Sequence, residues 1–503
     1  MYRIKSSTNL QLGEFSIDLL DEATKLFAKG DYQQTEKLLI ALLKTQPNNI
    51  KAIRLLSQLG IRLGAYKKVI PLLEKCILSM PNDPILLLQL AQIEAECNLS
   101  DMADHHYQTL VKLFPNWSDG YFAYAGFLQS FGHFNQAKNN LEQTLKLDPK
   151  HAGAYLAIVN LMSMENEGQL TQQIESALSE LTNCNNKNLD QMKLFYALGK
   201  AKADQLDYRS AFENWKKANA IQLNLCDFRV EQMYPFYQQL EISFKEAELA
   251  EKRNAPNESK LNKMTPIFIV GLPRSGSTLL AQMLSSHSEI ESAGEVNYIS
   301  NDVVHRLQQM TGKHYPLNVN ELNDGQLIEL REIYCEKLKQ HYPKSRYIID
   351  KLPANFQSIG LIKKILPNAI IVNIDRKAEA VALSIISNYF AENEPYFCNL
   401  NELAKYYLSY KKLMSFWIKQ DRGNIINMSY ENLVNDPQKK ITQILERCGL
   451  DWQDACSNHH LQTNKITTLS DKQIRKPIYK SSINNWKNYR EFLSEFSQTI
   501  AKF

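Results

Sequence analysis

The residues best placed to do chemistry begin at Gly271, where GLPRSGST runs to Thr278 behind the apolar, β-branched run PIFIV. A short apolar run, a Gly/Pro/Ser turn and an amphipathic stretch predict a strand, a loop and a helix in that order. Against the nucleotide-binding template G-x-x-x-x-G-K-[ST], Gly271, Gly276 and Thr278 fit, but Ser277 stands in place of the lysine. Backbone N–H groups of such a loop, with a helix N-terminus behind them, cradle an anion with or without that lysine. What the missing lysine removes is the charge normally aimed at β- and γ-phosphates. Arg274 offers a guanidinium instead, whose forked donors suit an oxyanion such as a phosphosulfate. Taken alone, the loop is equally consistent with a turn that binds nothing.

Positioning such a loop requires a sheet and the helices that cover it. A length of 503 residues leaves room for about two to four domains. The composition, 44% hydrophobic and 22% charged, is that of a globular chain and excludes a fibrous or largely disordered one. A net charge of +4 falls short of the concentrated basic surface of a nucleic-acid binder, so no nucleic-acid partner is expected. The eight cysteines include no Cys-x-x-Cys pair and no histidine spacing of a zinc site, so no metal is expected. With no signal-like apolar run and no uncharged stretch of membrane-spanning length, the expected setting is cytoplasmic, without a membrane span.

Upstream of the loop the chain repeats itself. Pro47, Pro81, Pro115 and Pro149 recur at 34 residues, as do Gly30, Gly64, Asn98 and Gly132, each followed two residues on by Tyr32, Tyr66, Ser100 or Phe134. That period reads as helical hairpins in which Gly or Asn supplies a left-handed residue after the first helix and Pro marks the break after the second. Apolar residues at three- and four-residue intervals, as in GYFAYAGFLQSFGHFNQAKNNLEQTLKL, predict that each hairpin buries one face against the next. The pattern resembles the tetratricopeptide repeat family over roughly residues 15–150. A degenerate hairpin is expected over 194–221 with Leu206-Asp207-Tyr208 as its turn, after an insertion near Asn183–Asn188. The array is therefore expected over 15–225, a helical and polar linker over 226–263, with EKRNAPNESKLNKMTP as the boundary, and a second domain over 264–503. The repeats are expected to bind a peptide or protein.

Further motifs follow the loop in order: SAGEV, DKLP, IDRKAEAVALS and YENLVNDP. With PRSGST they resemble the sulfotransferases: closely, bacterial proteins that join tetratricopeptide repeats to a sulfotransferase domain, and more distantly the tyrosylprotein sulfotransferases. The resemblance spans 264–490. It implies a helical solenoid followed by a P-loop-like, three-layer α/β/α domain with a parallel sheet, and 3′-phosphoadenosine 5′-phosphosulfate (PAPS) as donor, without a metal. It assigns Pro273, Arg274, Ser275, Gly276, Ser277 and Thr278 to the 5′-phosphosulfate. Glu295, 21 residues beyond Arg274, becomes the general base that takes the acceptor hydroxyl's proton. Lys351 becomes the cation that neutralises the leaving oxygen, with Arg274 beside it in the catalytic set. Arg376 and Ser384, eight residues apart, are implied to hold the 3′-phosphate together with Tyr430, and Lys476, Ser481 and Ser482 to close over the donor.

Without the family context, Glu295 reads as a solvated turn carboxylate and Lys351 as a partner of Asp350 or of a neighbour at the strand end. Two positions depart from the family: Asn485 stands before Trp486 where relatives carry Lys or Arg, and Asn388 where the tyrosylprotein enzymes carry Arg. Both predict lower donor affinity. The rival readings are a nucleotide kinase, because IIVNID imitates a strand ending in a Mg²⁺-holding Asp, and a non-catalytic repeat scaffold.

Overall fold

The computed structural model describes residues 19–182, 188–224, 229–245, 264–390, 398–421, 423–462 and 471–502. Contacts divide the chain into two units, Met1–Ala154 and Tyr155–Phe503. In the first unit four helix pairs follow one another: α1 (19–29) with α2 (Tyr32–Thr45), α3 (Ile50–Arg62) with α4 (Tyr66–Ser79), α5 (Pro84–Glu96) with α6 (Ser100–Leu113), and α7 (Ser118–Ser130) with α8 (Phe134–Leu147). Gly30, Gly64, Asn98 and Gly132 sit between the helices of each pair with φ of 81°, 68°, 60° and 83°, the left-handed residues the period required. Between pairs the chain restarts at capped ends. Asp83, for example, accepts from the N–H groups of Ile85 and Leu86 while Pro84 opens α5. Ile53, Val69, Leu73, Leu86 and Leu90 join in one apolar cluster drawn from α3, α4 and α5, so each hairpin buries a face against the next.

The division falls inside α9 (Ala152–Leu161), which α10 (Gly168–Thr182) follows. The degenerate hairpin is α11 (Asn188–Asp204) and α12 (Tyr208–Asn224), turning through Leu206 at φ 64°. Met192, Tyr196, Phe212, Trp215 and Ala218 from this hairpin lie in the same apolar cluster as Phe268 and Val270 of the first strand, so it shares its core with the sheet. Residues 183–187 of the expected insertion, and all but the last three of the polar boundary stretch 251–266, lie outside the described residues.

Helix α13 (Tyr234–Lys245) precedes five strands, β1 (Thr265–Gly271), β2 (Ile290–Ser292), β3 (Tyr347–Asp350), β4 (Ile370–Asp375) and β5 (Ile426–Ser429). They form one sheet in the order β2-β3-β1-β4-β5 with every pairing parallel. Alternation sorts their side chains between two cores. Ile267, Ile269, Ile349 and Val372 face α14 (Ser277–Ser285) and α21 (Pro437–Cys448). Phe268, Val270, Ile348 and Ile371 face the opposite cluster, which holds α13, α16 (Asp324–His341), α17 (Ile359–Ile365), α18 (Ala378–Ile386) and α19 (Leu400–Gln420). The result is three layers, helices on both faces of a parallel sheet. The remaining helices are α15 (Val304–Thr311), α20 (Tyr430–Asn435), α22 (Asp471–Ile474), α23 (Ser481–Asn484) and α24 (Ser494–Ala501). Among the described residues no helix is long and apolar enough to cross a membrane.

Candidate active site

All five strands end on one edge, and each hands a polar residue to it. Ser292 of β2 is followed three residues on by Glu295, Asp350 of β3 by Lys351, Gly271 of β1 by the loop bearing Arg274, Asp375 of β4 by Arg376, and Ser429 of β5 by Tyr430. The sheet order sets these residues along the edge as Glu295, Lys351, Arg274, Arg376, Tyr430. The carboxyl edge of a parallel sheet is where such folds collect ligands.

At the centre of the edge the loop turns tightly into α14. Gly276 caps that helix at φ 103°, and a Cβ there would lie 2.4 Å from Cδ2 of Tyr430, so only glycine fits. Ser277 and Thr278 open the helix and line an open pocket of about 570 Å³ together with Arg274, Arg376, Tyr430, Gln473, Lys476 and Tyr479. Arg274 adopts φ 68°, a left-handed conformation with no glycine to relieve it, and its Nε donates to Ser384 Oγ at 2.9 Å. A second donor, NH2, reaches Gln473 Oε1 at 3.4 Å. Arg376 donates to the carbonyls of Arg274 at 3.0 Å and Ser482 at 2.7 Å, with its guanidinium 4.5 Å above the Tyr430 ring. Tyr430 and Ser482 share a hydroxyl–hydroxyl bond of 2.8 Å. Burial, with Arg376 adding to it, pushes Arg274 down to about 10, and burial lowers Arg376 too. Among the described residues, Arg376 Nε and Ser275 Oγ are buried with no hydrogen-bond partner. Two cations, orphaned polar atoms and a helix N-terminus form a donor set that fits a phosphate-bearing group.

On the other side of the loop, Lys351 is 3% exposed and its ammonium bonds to the carboxylate of Glu295, whose side chain is 47% exposed. The backbone ties the two segments as well, Lys351 N–H donating to Gly294 O at 2.9 Å. Burial lowers the Lys351 pKa, and Glu295 opposes that shift. Asp350 pairs elsewhere. Its carboxyl accepts from Tyr334 O–H at 2.9 Å and Asn355 Nδ2 at 3.0 Å, and burial pushes its pKa up to about 7.

The structure thus gathers Arg274, Arg376, Ser384, Tyr430 and Ser482 into one network and Glu295 with Lys351 into another. Ser384 meets Arg274, its loop neighbour across the edge, and that contact joins the two expected phosphate sites. Lys476 lies exposed at the pocket, Ser481 is exposed at the start of α23, and Pro273 forms the turn before Arg274. Asn388 folds back onto α18, donating to Ser384 O at 2.9 Å and Ser387 Oγ at 3.2 Å. Sequence reading missed Gln473 and Tyr479, which reach the pocket from nearly 200 residues away. No local pattern marks either. Asp375, the kinase-like aspartate, pairs with Lys411 at 2.5 Å and accepts from the Arg376 N–H.

Residues 266–454 match the model of the Sulfotransferase family. An uncharacterized protein of Aquifex aeolicus (strain VF5) is 28% identical over 379 residues, covering 73% of this chain and 48% of that protein. The chain therefore spans about half the length of this relative. Protein-tyrosine sulfotransferase 2 of Gallus gallus is 24% identical over 246 residues, 46% of this chain and 65% of that protein. Among solved structures, the sulfotransferase domain from the curacin biosynthetic pathway is 17% identical with a TM-score of 0.33, covering 46% of this chain and 98% of its own. The tetratricopeptide repeat protein YrrB is 16% identical with a TM-score of 0.28, covering 42% of this chain and 97% of its own.

Proposed function

We propose, from the sulfotransferase-family domain carried by residues 266–454, that this protein moves a sulfuryl group from PAPS to an acceptor hydroxyl. The observation that carries this reading is the order of groups along the strand edge. A carboxylate paired with a buried ammonium lies on one side of an anion-binding loop, and an arginine resting on a tyrosine lies on the other. When bound, the donor supplies an activated sulfuryl group.

The N–H groups at the start of α14 and the Arg274 guanidinium would hold the 5′-phosphosulfate, and Arg376, Ser384, Tyr430 and Ser482 the 3′-phosphate. Lys476, Ser481 and Ser482 belong to the segment that closes the pocket. Glu295 accepts the proton of the attacking hydroxyl on its exposed side. Lys351, held on the other side of that carboxylate, keeps a positive charge where negative charge develops on the leaving oxygen. Protein-tyrosine sulfotransferases among the relatives favour a tyrosine acceptor, with the repeats holding the peptide or its carrier. The pairing of Asp375 with Lys411 argues against the kinase, whose aspartate at that strand end must be open to Mg²⁺.

The test is thermal stabilisation by adenosine 3′,5′-bisphosphate (PAP) against ATP, followed by transfer of labelled sulfate into protein in the presence of EDTA. PAP is expected to raise the melting temperature, ATP to leave it unchanged, and transfer to survive chelation. Stabilisation by ATP alone would overturn the reading.

A further inference from the structure

The hairpin α11–α12 packs against two segments that back the proposed donor pocket as its outer walls, one carrying Ser384 and the other Ser482. On one wall Asn219, 3% exposed, donates through Nδ2 to Ile386 O at 2.8 Å and to Trp215 O at 2.7 Å. Its Oδ1 accepts from Tyr196 O–H at 3.0 Å, so every polar atom of the amide is engaged. Ile386 ends α18, two residues beyond Ser384, and Ser384 is the acceptor that fixes Arg274 Nε. On the other wall Trp215 lies 5.6 Å from Tyr489, and Phe212 stacks on Phe492 at 5.1 Å. Tyr489 closes the 3₁₀ turn Asn485–Tyr489, just after the Ser482 that bonds to Arg376 and Tyr430. One helix, α12, therefore braces the segment carrying Ser384 and the segment carrying Ser482.

We propose that Asn219 is a positioning residue for the donor, and that α11–α12 is a fixed support behind the donor site although its sequence reads as a repeat. The proposal rests on the donor reading given above. Removing the amide takes the donor from Ile386 O and leaves Tyr196 O–H with its longer bond to Gln222 Oε1 at 3.4 Å, and the last turn of α18 loses this tie to α12. Ser384 then holds Arg274 Nε less firmly, and the guanidinium, still in reach of Gln473, is aimed into the pocket less strictly. Asn219 bonds to Trp215, Ile386 and Tyr196 and, among the described residues, to neither Glu295 nor Lys351, so proton removal from the acceptor is unaffected. The loss falls on donor affinity.

The experiment compares full-length protein with Asn219→Ala by PAP titration calorimetry and by steady-state transfer. PAP binding is expected to weaken about tenfold, with donor KM rising in parallel and kcat within about twofold of the parent. Leu338→Ala, a cavity in the same apolar cluster, should lower the melting temperature and leave PAP affinity unchanged, which separates positioning from general destabilisation. Should Asn219→Ala fail to fold, Tyr196→Phe removes the O–H that fixes Oδ1 and should show the same split at about threefold. A folded variant with parental PAP affinity, or one that loses kcat at unchanged donor KM, overturns the inference. A parent that binds no PAP overturns the donor reading and this inference with it.

Discussion

On the β2–β3 side of the loop the buried ammonium of Lys351 meets a carboxylate, while on the β4–β5 side the Arg376 guanidinium meets two backbone carbonyls and the face of Tyr430. Both are cations drawn out of water, and both have their pKa lowered chiefly by burial. They differ in compensation. An ion pair offsets its own desolvation, whereas a buried guanidinium with neutral partners and, among the described residues, an orphaned Nε leaves donor capacity that an anion would take up. Under the proposed function the first side handles a proton and the second receives a phosphate. Distance along the strand edge keeps the two tasks apart.

The largest effect that could break this contrast is expected at Glu295. Glu295→Gln should cut labelled-sulfate transfer by about 10²–10⁴-fold while PAP affinity, read by calorimetry, changes little. If both fall together, the two sides are not separate. Next comes Arg376→Ala, which should weaken PAP binding by about 10–100-fold, the loss of hydrogen bonds to a charged group, and depress kcat far less.

A smaller effect concerns pH. Under the proposed function Lys351 acts as a cation, and burial lowers its pKa, so kcat should fall as pH rises through that lowered value. The fall should begin below the range where an exposed lysine, near about 10.4, deprotonates. Lys351→Arg should move this limb upward, and a pH profile of kcat checks it. The smallest expected effect is on stability. Asp350 is raised to about 7 against an unfolded value of 3.8, so the folded state holds a proton that the unfolded state has released between those values. Stability is highest below the unfolded pKa and declines as pH rises toward 7. Asp350→Asn should flatten that decline in melting temperature, which would locate the cost of the Lys351 side in its neutral neighbour.

Much of this was legible in the sequence where the signal is local. The left-handed residues at 34-residue spacing could be placed because a hairpin turn needs them wherever it occurs. The strand–loop–helix at Gly271 was legible for the same reason. Glu295 and Lys351 were singled out only through family resemblance, because the strand ends that bring them together are 56 residues apart in the chain. The pairing of Ser384 with Arg274 was not foreseen, since the family resemblance set Ser384 beside Arg376 at the 3′-phosphate. The hairpin α11–α12 shows the limit most plainly. Amphipathic spacing predicts that Trp215 and Tyr196 are buried, but it says nothing about which surface covers them. That information lies in Phe492, Tyr489 and Ile386, 167 or more residues downstream.

The placement of one polar residue within three positions of every strand end bears on how such a protein can change over generations. At the last ladder bond the backbone is still fixed by its neighbours, so a side chain delivered there inherits the rigidity of the sheet. Each of the five positions is anchored by its own strand, and a replacement at one leaves the backbone under the other four in place. Under the proposed function, acceptor chemistry at the β2–β3 end could therefore drift while the proposed anion-binding end is kept. Variation of this kind needs no new fold, only single exchanges along an edge that already holds its residues in order.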